Sequence, residues 1–159
     1  MDTDLLPACY RTDAERIALV AASHERLFGR PLVARSDDPL LALWRAPLAI
    51  VAHGPGEDPC FFFANRAALA AFETDAESIR RMPSRLSAGP QDRTARAAAL
   101  ARVAREGFID DYTGVRVSTR GQRFRIEAAR LWNLLDEQGR CHGQAAAFAP
   151  PDAQAAPRD

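Results

Sequence analysis

The sequence predicts an α+β domain with an antiparallel sheet of five strands. Two short apolar runs lie on either side of a Gly/Pro-rich loop, helical patterns follow, and the apolar period then changes to two for three further strands. Runs of helices and strands in this order are typical of α+β domains. The 159 residues fit one domain, which we place at 13–149, with an N-terminal extension over 1–12 and a disordered Pro/Ala-rich tail over 150–159.

The first predicted element is an amphipathic helix over about residues 13–28. Thr12 and Glu15 have the spacing of a capping box, and Gly29 ends the helix. The apolar face of this helix includes Ile17, Val20 and His24. We expect this face to cover one side of the sheet or to form a homodimer interface.

A second, shorter helix is predicted over 39–44, where Asp38 has the position of an N-cap. Two strands over 48–52 and 60–63 then form a predicted hairpin, because each is a short apolar run and Gly and Pro dominate the loop between them. Asn65 follows the second strand and is the predicted cap of the next helix.

Two more helices and three strands complete the prediction. A capping box over 74–77 begins a short helix, and an Ala/Arg-rich helix over 90–106 ends at Gly107. The last three strands are predicted at 115–118, at 124–134 and at 141–148. The alternation of apolar and charged residues in the second of these strands indicates that one of its faces is buried.

Charge and composition exclude several classes of partner. The formal net charge is zero and no block of like charge occurs, so we expect neither a nucleic-acid partner nor a membrane surface. No signal peptide or membrane-spanning run is present, and three scattered cysteines suit reduced thiols, which together predict a cytoplasmic protein.

Several segments resemble the MEKHLA domain family. They are residues 53–69, 83–88, 112–118, 121–127, 132–136 and 142–146. The resemblance covers about residues 13–148, and the chain is similar to the stand-alone form of the family in bacteria. It implies a PAS-like fold, in which five antiparallel strands stand in the order 2-1-5-4-3 and helices enclose a concave space, the cup, against one sheet face.

The same resemblance implies a function. The family also occurs at the C-terminus of plant class III homeodomain–leucine-zipper proteins, where it is associated with dimerisation, and it offers no established catalytic residues to carry over. We therefore expect a sensory or regulatory signalling module that binds a small ligand in its cup, that interacts with a second copy or a signalling protein, or that does both.

Four residues are candidates for ligand binding in the cup: Asn65, Phe63, Trp132 and Arg85. Arg85 lies in the loop expected at the mouth of the cup, where a guanidinium can bind a carboxylate with two hydrogen bonds. The alternative for Arg85 is a structural ion pair with Glu127 or Asp92.

The sequence does not identify a cofactor. Light-sensing flavin domains of the PAS group carry an Asn-Cys-Arg-Phe-Leu-Gln motif, whereas residues 82–87 contain no cysteine, so we do not expect a covalent flavin. Haem needs an axial His, Cys or Met, and only Met82 occurs within 65–106. Non-covalent flavin and haem both stay open. His53 and His142 are expected at the same end of the sheet, but we predict no metal site there, because Cys141 and His142 point to opposite faces.

Motifs of enzymes are absent: the sequence contains neither a nucleophile elbow nor a phosphate-binding glycine loop. We therefore predict that the protein is not an enzyme. The alternative is a small enzyme that uses the cup as its active site. That alternative requires one or more of His53, His142, Asp111 and Glu127 to point into the cup.

Overall fold

One five-stranded sheet forms the centre of the molecule. The computed structural model describes residues 5–151, so residues 1–4 of the predicted extension and residues 152–159 of the predicted tail lie outside the described residues. The strands are β1 (Ala49–His53), β2 (Phe61–Ala64), β3 (Phe108–Val117), β4 (Arg123–Leu135) and β5 (Cys141–Phe148). Their order is β2-β1-β5-β4-β3, and all neighbours are antiparallel, which confirms the predicted fold class and strand order.

Helices cover both faces of this sheet. They are α1 (Ala8–Arg11), α2 (Ala14–Phe28), α3 (Pro39–Arg45), α4 (Arg66–Phe72), α5 (Ala76–Ile79) and α6 (Arg93–Glu106), with 3₁₀ turns at Ser84–Ser87 and Pro90–Asp92 before the last helix. Helix α2 packs on β4 from one side, and α6 packs on β3 and β4 from the other. No described helix combines the length and the apolar character needed to cross a bilayer.

The helix boundaries agree only in part with those predicted from the sequence. Asp38 caps the start of α3 and Gly107 ends α6, as predicted. The two predicted capping boxes are wrong. The hydroxyl of Thr12 donates to the carbonyl oxygen of Cys9 in α1 instead of capping α2, and Asp75 rather than Thr74 caps α5. In both cases the preceding helix ends so close to the next one that the expected cap residue belongs to that end.

The face of α2 that was predicted to be apolar is completely buried against the sheet. Ile17, Val20 and His24 have no exposed surface. The indole Nε1 of Trp132 donates to the carbonyl oxygen of Val20 at 3.1 Å, and the ring of His24 lies edge-on to Trp132 with centroids 4.9 Å apart. An interface through these three side chains would therefore require α2 to leave the sheet, so the structure corrects their predicted place at a dimer surface.

His24 is a neutral core residue. Its Nδ1 lies 3.1 Å from the carbonyl oxygen of Arg30, and its Nε2 lies 2.7 Å from a guanidinium nitrogen of Arg130. Since a carbonyl can only accept, Nδ1 donates and Nε2 accepts. Burial, followed by the charge of Arg130, lowers the pKa of His24 to about 4. The ring therefore connects α2 to β4 without carrying charge at neutral pH.

Two of the bulges in the sheet determine the faces that the predicted ligand residues occupy. In β2, His53 pairs with Phe61 and Ala52 pairs with Phe63, so Phe62 is an extra residue. In β4, Ala128 has a φ of 51°, and the register against β3 shifts beside it. An extra residue inverts the inward and outward alternation beyond it.

Candidate functional site

A small cavity lies between the sheet and α6, inside the cup. This inner cavity has a volume of about 30 Å³. Most of its lining is apolar, but His53, Arg96, Arg116 and Gln144 also border it. A space of this size holds about one or two water molecules.

A larger cleft lies at the surface beside the inner cavity. This outer cleft has a volume of about 580 Å³ and lies between the β1–β2 loop over 54–59, α6 and the adjoining ends of β4 and β5. His53, Arg96, Leu100 and Gln144 border both spaces, so the cleft and the cavity are adjacent. Its volume falls within the roughly 300–1,000 Å³ of small-molecule sites. Grooves of about 690 and 700 Å³ elsewhere on the described chain are lined by no buried ionisable side chain.

His53, which borders both the cleft and the cavity, has an unused hydrogen-bond acceptor. Its Nδ1 lies 2.9 Å from the carbonyl oxygen of Gly54, so Nδ1 carries the proton and donates. Nε2 is buried and has no hydrogen-bond partner within residues 5–151. Burial lowers the pKa of His53, and the charge of Arg96 adds to this effect. The ring is therefore neutral at pH 7, and its Nε2 lone pair is available.

Arg96 is a buried cation without a counter-ion. The residue is only 9% exposed, and its guanidinium makes no hydrogen bond or ion pair with residues 5–151. Burial, followed by the charge of Arg116, lowers the pKa of Arg96 to about 10. The side chain is still charged at neutral pH, and the shift corresponds to an unfavourable free energy on the order of 3 kcal/mol for that charge.

Arg116 places a second buried positive charge at the inner cavity. It is 7% exposed and donates to the hydroxyl of Tyr112 at 3.2 Å and to the carbonyl oxygen of Val115 at 3.0 Å. No carboxylate of the described chain pairs with it. A Cβ at Gly114 would collide with the Tyr112 hydroxyl, so the glycine keeps the space for the ring that orients Arg116. The cup thus contains two buried cations that no anion of the described chain neutralises.

Arg85 borders the outer cleft, as the sequence predicted, but it already has a partner. Its Nε lies 2.9 Å from a carboxylate oxygen of Asp58, and its side chain is 51% exposed. The alternative partners proposed from the sequence are wrong, because Asp92 pairs with Arg123 and Glu127 pairs with Arg125.

The other three predicted ligand residues lie outside the cup, which corrects their predicted place. Phe63 packs against Tyr10 with ring centroids 4.9 Å apart, and Trp132 lies under α2. The bulges at Phe62 and Ala128 turn them to the opposite face. Asn65 is fully buried, and its amide group is used entirely in backbone hydrogen bonds.

Sequence reasoning assigned neither Arg96 nor Arg116 to the cup. A signal existed for each of them. Arg96 stands on the same face of α6 as Ala99 and Val103, which are buried, and Arg116 lies in an otherwise apolar part of β3. A charged residue within a buried pattern is informative, because such residues are rarely buried unless something pairs with them.

Of the four titratable groups that an active site in the cup would need, only His53 borders the cup. His142 bonds to Asp136 at 2.8 Å, Asp111 bonds to Arg102 at 3.0 Å, and Glu127 pairs with Arg125 at the surface. Within residues 5–151 no three His, Cys, Asp or Glu side chains are grouped as metal ligands.

The volume of the inner cavity decides whether flavin or haem could bind inside the cup. The inner cavity, at about 30 Å³, is an order of magnitude smaller than a typical cofactor pocket. Met82, the only axial ligand considered from the sequence, borders neither the cavity nor the cleft. Neither group fits the interior of the cup in this conformation.

Comparison with protein families identifies the family of this chain. The model of the MEKHLA domain matches residues 14–150, which is most of the chain. No curated protein matches the sequence significantly.

Solved structures of low sequence identity share the fold. A light-oxygen-voltage domain studied with a flavin analogue is 17% identical with a TM-score of 0.58, and the match covers 70% of this chain and 84% of that one. A PAS domain from Colwellia psychrerythraea is 16% identical with a TM-score of 0.57, covering 67% and 88%. The light-state dimer of the fungal blue-light photoreceptor Vivid is 14% identical with a TM-score of 0.56, covering 80% and 90%. These likenesses show a PAS-like fold.

Proposed function

Because this chain belongs to the MEKHLA domain family, we propose that it is a PAS-like sensory module that binds a small ligand in its outer cleft. The fold and the family support a sensory role. The observation that carries the ligand-binding part is the outer cleft itself, which has the volume of a small-molecule site and is bordered by His53, whose buried Nε2 has no partner within residues 5–151.

The position of the cleft also supports a sensory role. The β1–β2 loop forms one wall and α6 forms the other, so a bound molecule would touch two elements that are far apart in the sequence. Any ligand that binds better to one arrangement of these walls shifts the population toward that arrangement. Such a shift is the physical basis on which the module would report occupancy to a partner.

Association with a second copy or with a signalling protein is the other part of the proposal. It is supported by the similar photoreceptor structure, which is that of a dimer. The surface for such a partner lies away from the buried face of α2. Leu5 and Leu86 are the exposed large apolar side chains of the described chain, and Leu86 belongs to the 3₁₀ turn beside the cleft.

Replacing Ala101 with tryptophan tests the cleft. Ala101 is exposed on α6 and borders the cleft, so an indole there would occupy the ligand's space without disturbing the core. Mass spectrometry of the freshly purified protein under non-denaturing conditions is expected to show added mass on the wild type, and this mass should disappear in Ala101→Trp.

Ala98→Trp is the matched control. Ala98 is also exposed on α6 but does not border the cleft, so this variant should keep the added mass. Bare masses for all three proteins, or equal occupancy in the two variants, would contradict binding in the cleft.

A further inference from the structure

We propose that the ligand is a small hydroxy-carboxylate. Its carboxylate would bind Arg96 and Arg116 at the inner cavity, and its hydroxyl group would donate a hydrogen bond to Nε2 of His53. This inference rests on the proposed function, since it names the chemistry of the molecule that occupies the same cleft.

The negative charge of the proposed ligand is inferred from the two arginines. Buried charges in proteins are normally paired, yet neither Arg96 nor Arg116 has a carboxylate partner in the described chain. Both border the inner cavity. An anion placed there would neutralise two guanidinium groups of largely buried side chains through charge-assisted hydrogen bonds, which are stronger than neutral ones.

The shape of the cavity favours a carboxylate over a phosphate. A guanidinium can bind either group with two parallel hydrogen bonds. The inner cavity, however, holds only about one or two water molecules, which suits a flat carboxylate better than a tetrahedral phosphate. The remainder of the ligand would extend past Leu100 into the outer cleft.

The hydroxyl group of the proposed ligand is inferred from His53. Its buried Nε2 is an acceptor without a partner, so the ligand should bring a donor. An ammonium group is also a donor, but Arg96 and Arg116 border the same cavity and would repel a third positive charge. A neutral hydroxyl satisfies the acceptor without that repulsion.

Calorimetric titration of the dialysed full chain with lactate, propionate, lactamide and inorganic phosphate tests this chemistry. Lactate is expected to bind about 10-fold more tightly than propionate, the difference that one buried hydrogen bond gives. Lactamide, which has no charge, and phosphate, which is tetrahedral, should bind more weakly still. This comparison uses the wild-type protein, so it does not depend on how any variant folds.

Three variants locate the effect. Arg96→Met should abolish binding of both acids, and His53→Leu should remove the preference for lactate over propionate. Arg105→Met is the control, since Arg105 is exposed on α6 and borders neither space, and it should bind like the wild type.

The outcomes separate the two proposals. Equal affinity for lactate and propionate, or tighter binding of phosphate, overturns the hydroxy-carboxylate. If no acid binds while the wild type still carries a mass that Ala101→Trp loses, the ligand class is wrong and the cleft function stands. If no acid binds and no such mass is found, both proposals fail.

Discussion

Asn65→Leu is expected to lower the free energy of unfolding by about 4 kcal/mol. The side chain of Asn65 is fully buried. Its Oδ1 accepts from the amides of Ile50 and Ala68 at 2.9 and 3.0 Å, and its Nδ2 donates to the carbonyl oxygens of Leu43 and Leu48 at 3.0 and 2.7 Å. Leucine fills the space but leaves these four buried backbone groups without that partner.

Equilibrium unfolding in urea measures this loss, and Asn133→Leu is its control. Asn133 is only partly buried, and its side chain donates to the carbonyl oxygen of Val103 and accepts from Gln144. We expect that variant to lose about 1 kcal/mol. A loss below about 1 kcal/mol for Asn65→Leu would show that the Asn65 network does not hold β1 to α4.

Gly143→Ala is expected to lower the free energy of unfolding by about 3 kcal/mol or more. Gly143 has a φ of 128°, a conformation that side-chain-bearing residues rarely adopt. An added Cβ would also overlap the carbonyl oxygen of His53, which is backbone and cannot move aside. The substitution would therefore force β1 and β5 apart where His53 borders the cleft.

Gly139→Ala separates the two causes. Gly139 also has a positive φ, of 80°, but nothing lies within 4 Å of the position that a Cβ would take. Alanine there should cost about 1 kcal/mol through backbone strain alone. Thermal unfolding of both variants measures the difference, and equal losses would mean that the contact with His53 has no effect on stability.

Much of the fold could be predicted because it depends on local patterns. The strand boundaries of β5, the cap at Asn65 and the end of α6 at Gly107 follow from apolar runs, capping side chains and glycine. The start of β3 was missed: it begins at Phe108, but Asp110 and Asp111 are exposed and interrupt the apolar pattern that marks a strand.

The candidate site could be predicted much less well, because it depends on which face each side chain occupies. A strict period of two places Ile126 and Trp132 on the same face of β4. The bulge at Ala128 separates them, so Ile126 borders the inner cavity and Trp132 packs under α2. No residue type in β4 indicates this bulge. Alanine is uncommon at positive φ, so Ala128 gives no sign of it in the sequence.

The pairing of charged side chains could not be predicted from the sequence either. The chain has 21 arginines. The apolar face of α6 could have indicated that Arg96 is buried, but no pattern shows that it lacks a carboxylate partner in the described chain while Arg85 pairs with Asp58. Only the three-dimensional arrangement shows that Arg96 is buried without a carboxylate beside it. The central claim is that the cup contains a buried cation that an anionic ligand would neutralise, and this claim therefore depends on Arg96.

The free energy of unfolding of Arg96→Met, measured without ligand against the wild type, tests that claim most directly. Methionine keeps the aliphatic packing of the arginine stem and removes the buried charge, so stability is predicted to rise by about 2 kcal/mol. Arg105→Met, at an exposed position on the same helix, should change stability by less than about 0.5 kcal/mol. A loss of about 2 kcal/mol or more in Arg96→Met would show that the fold itself satisfies the guanidinium, and would contradict the account.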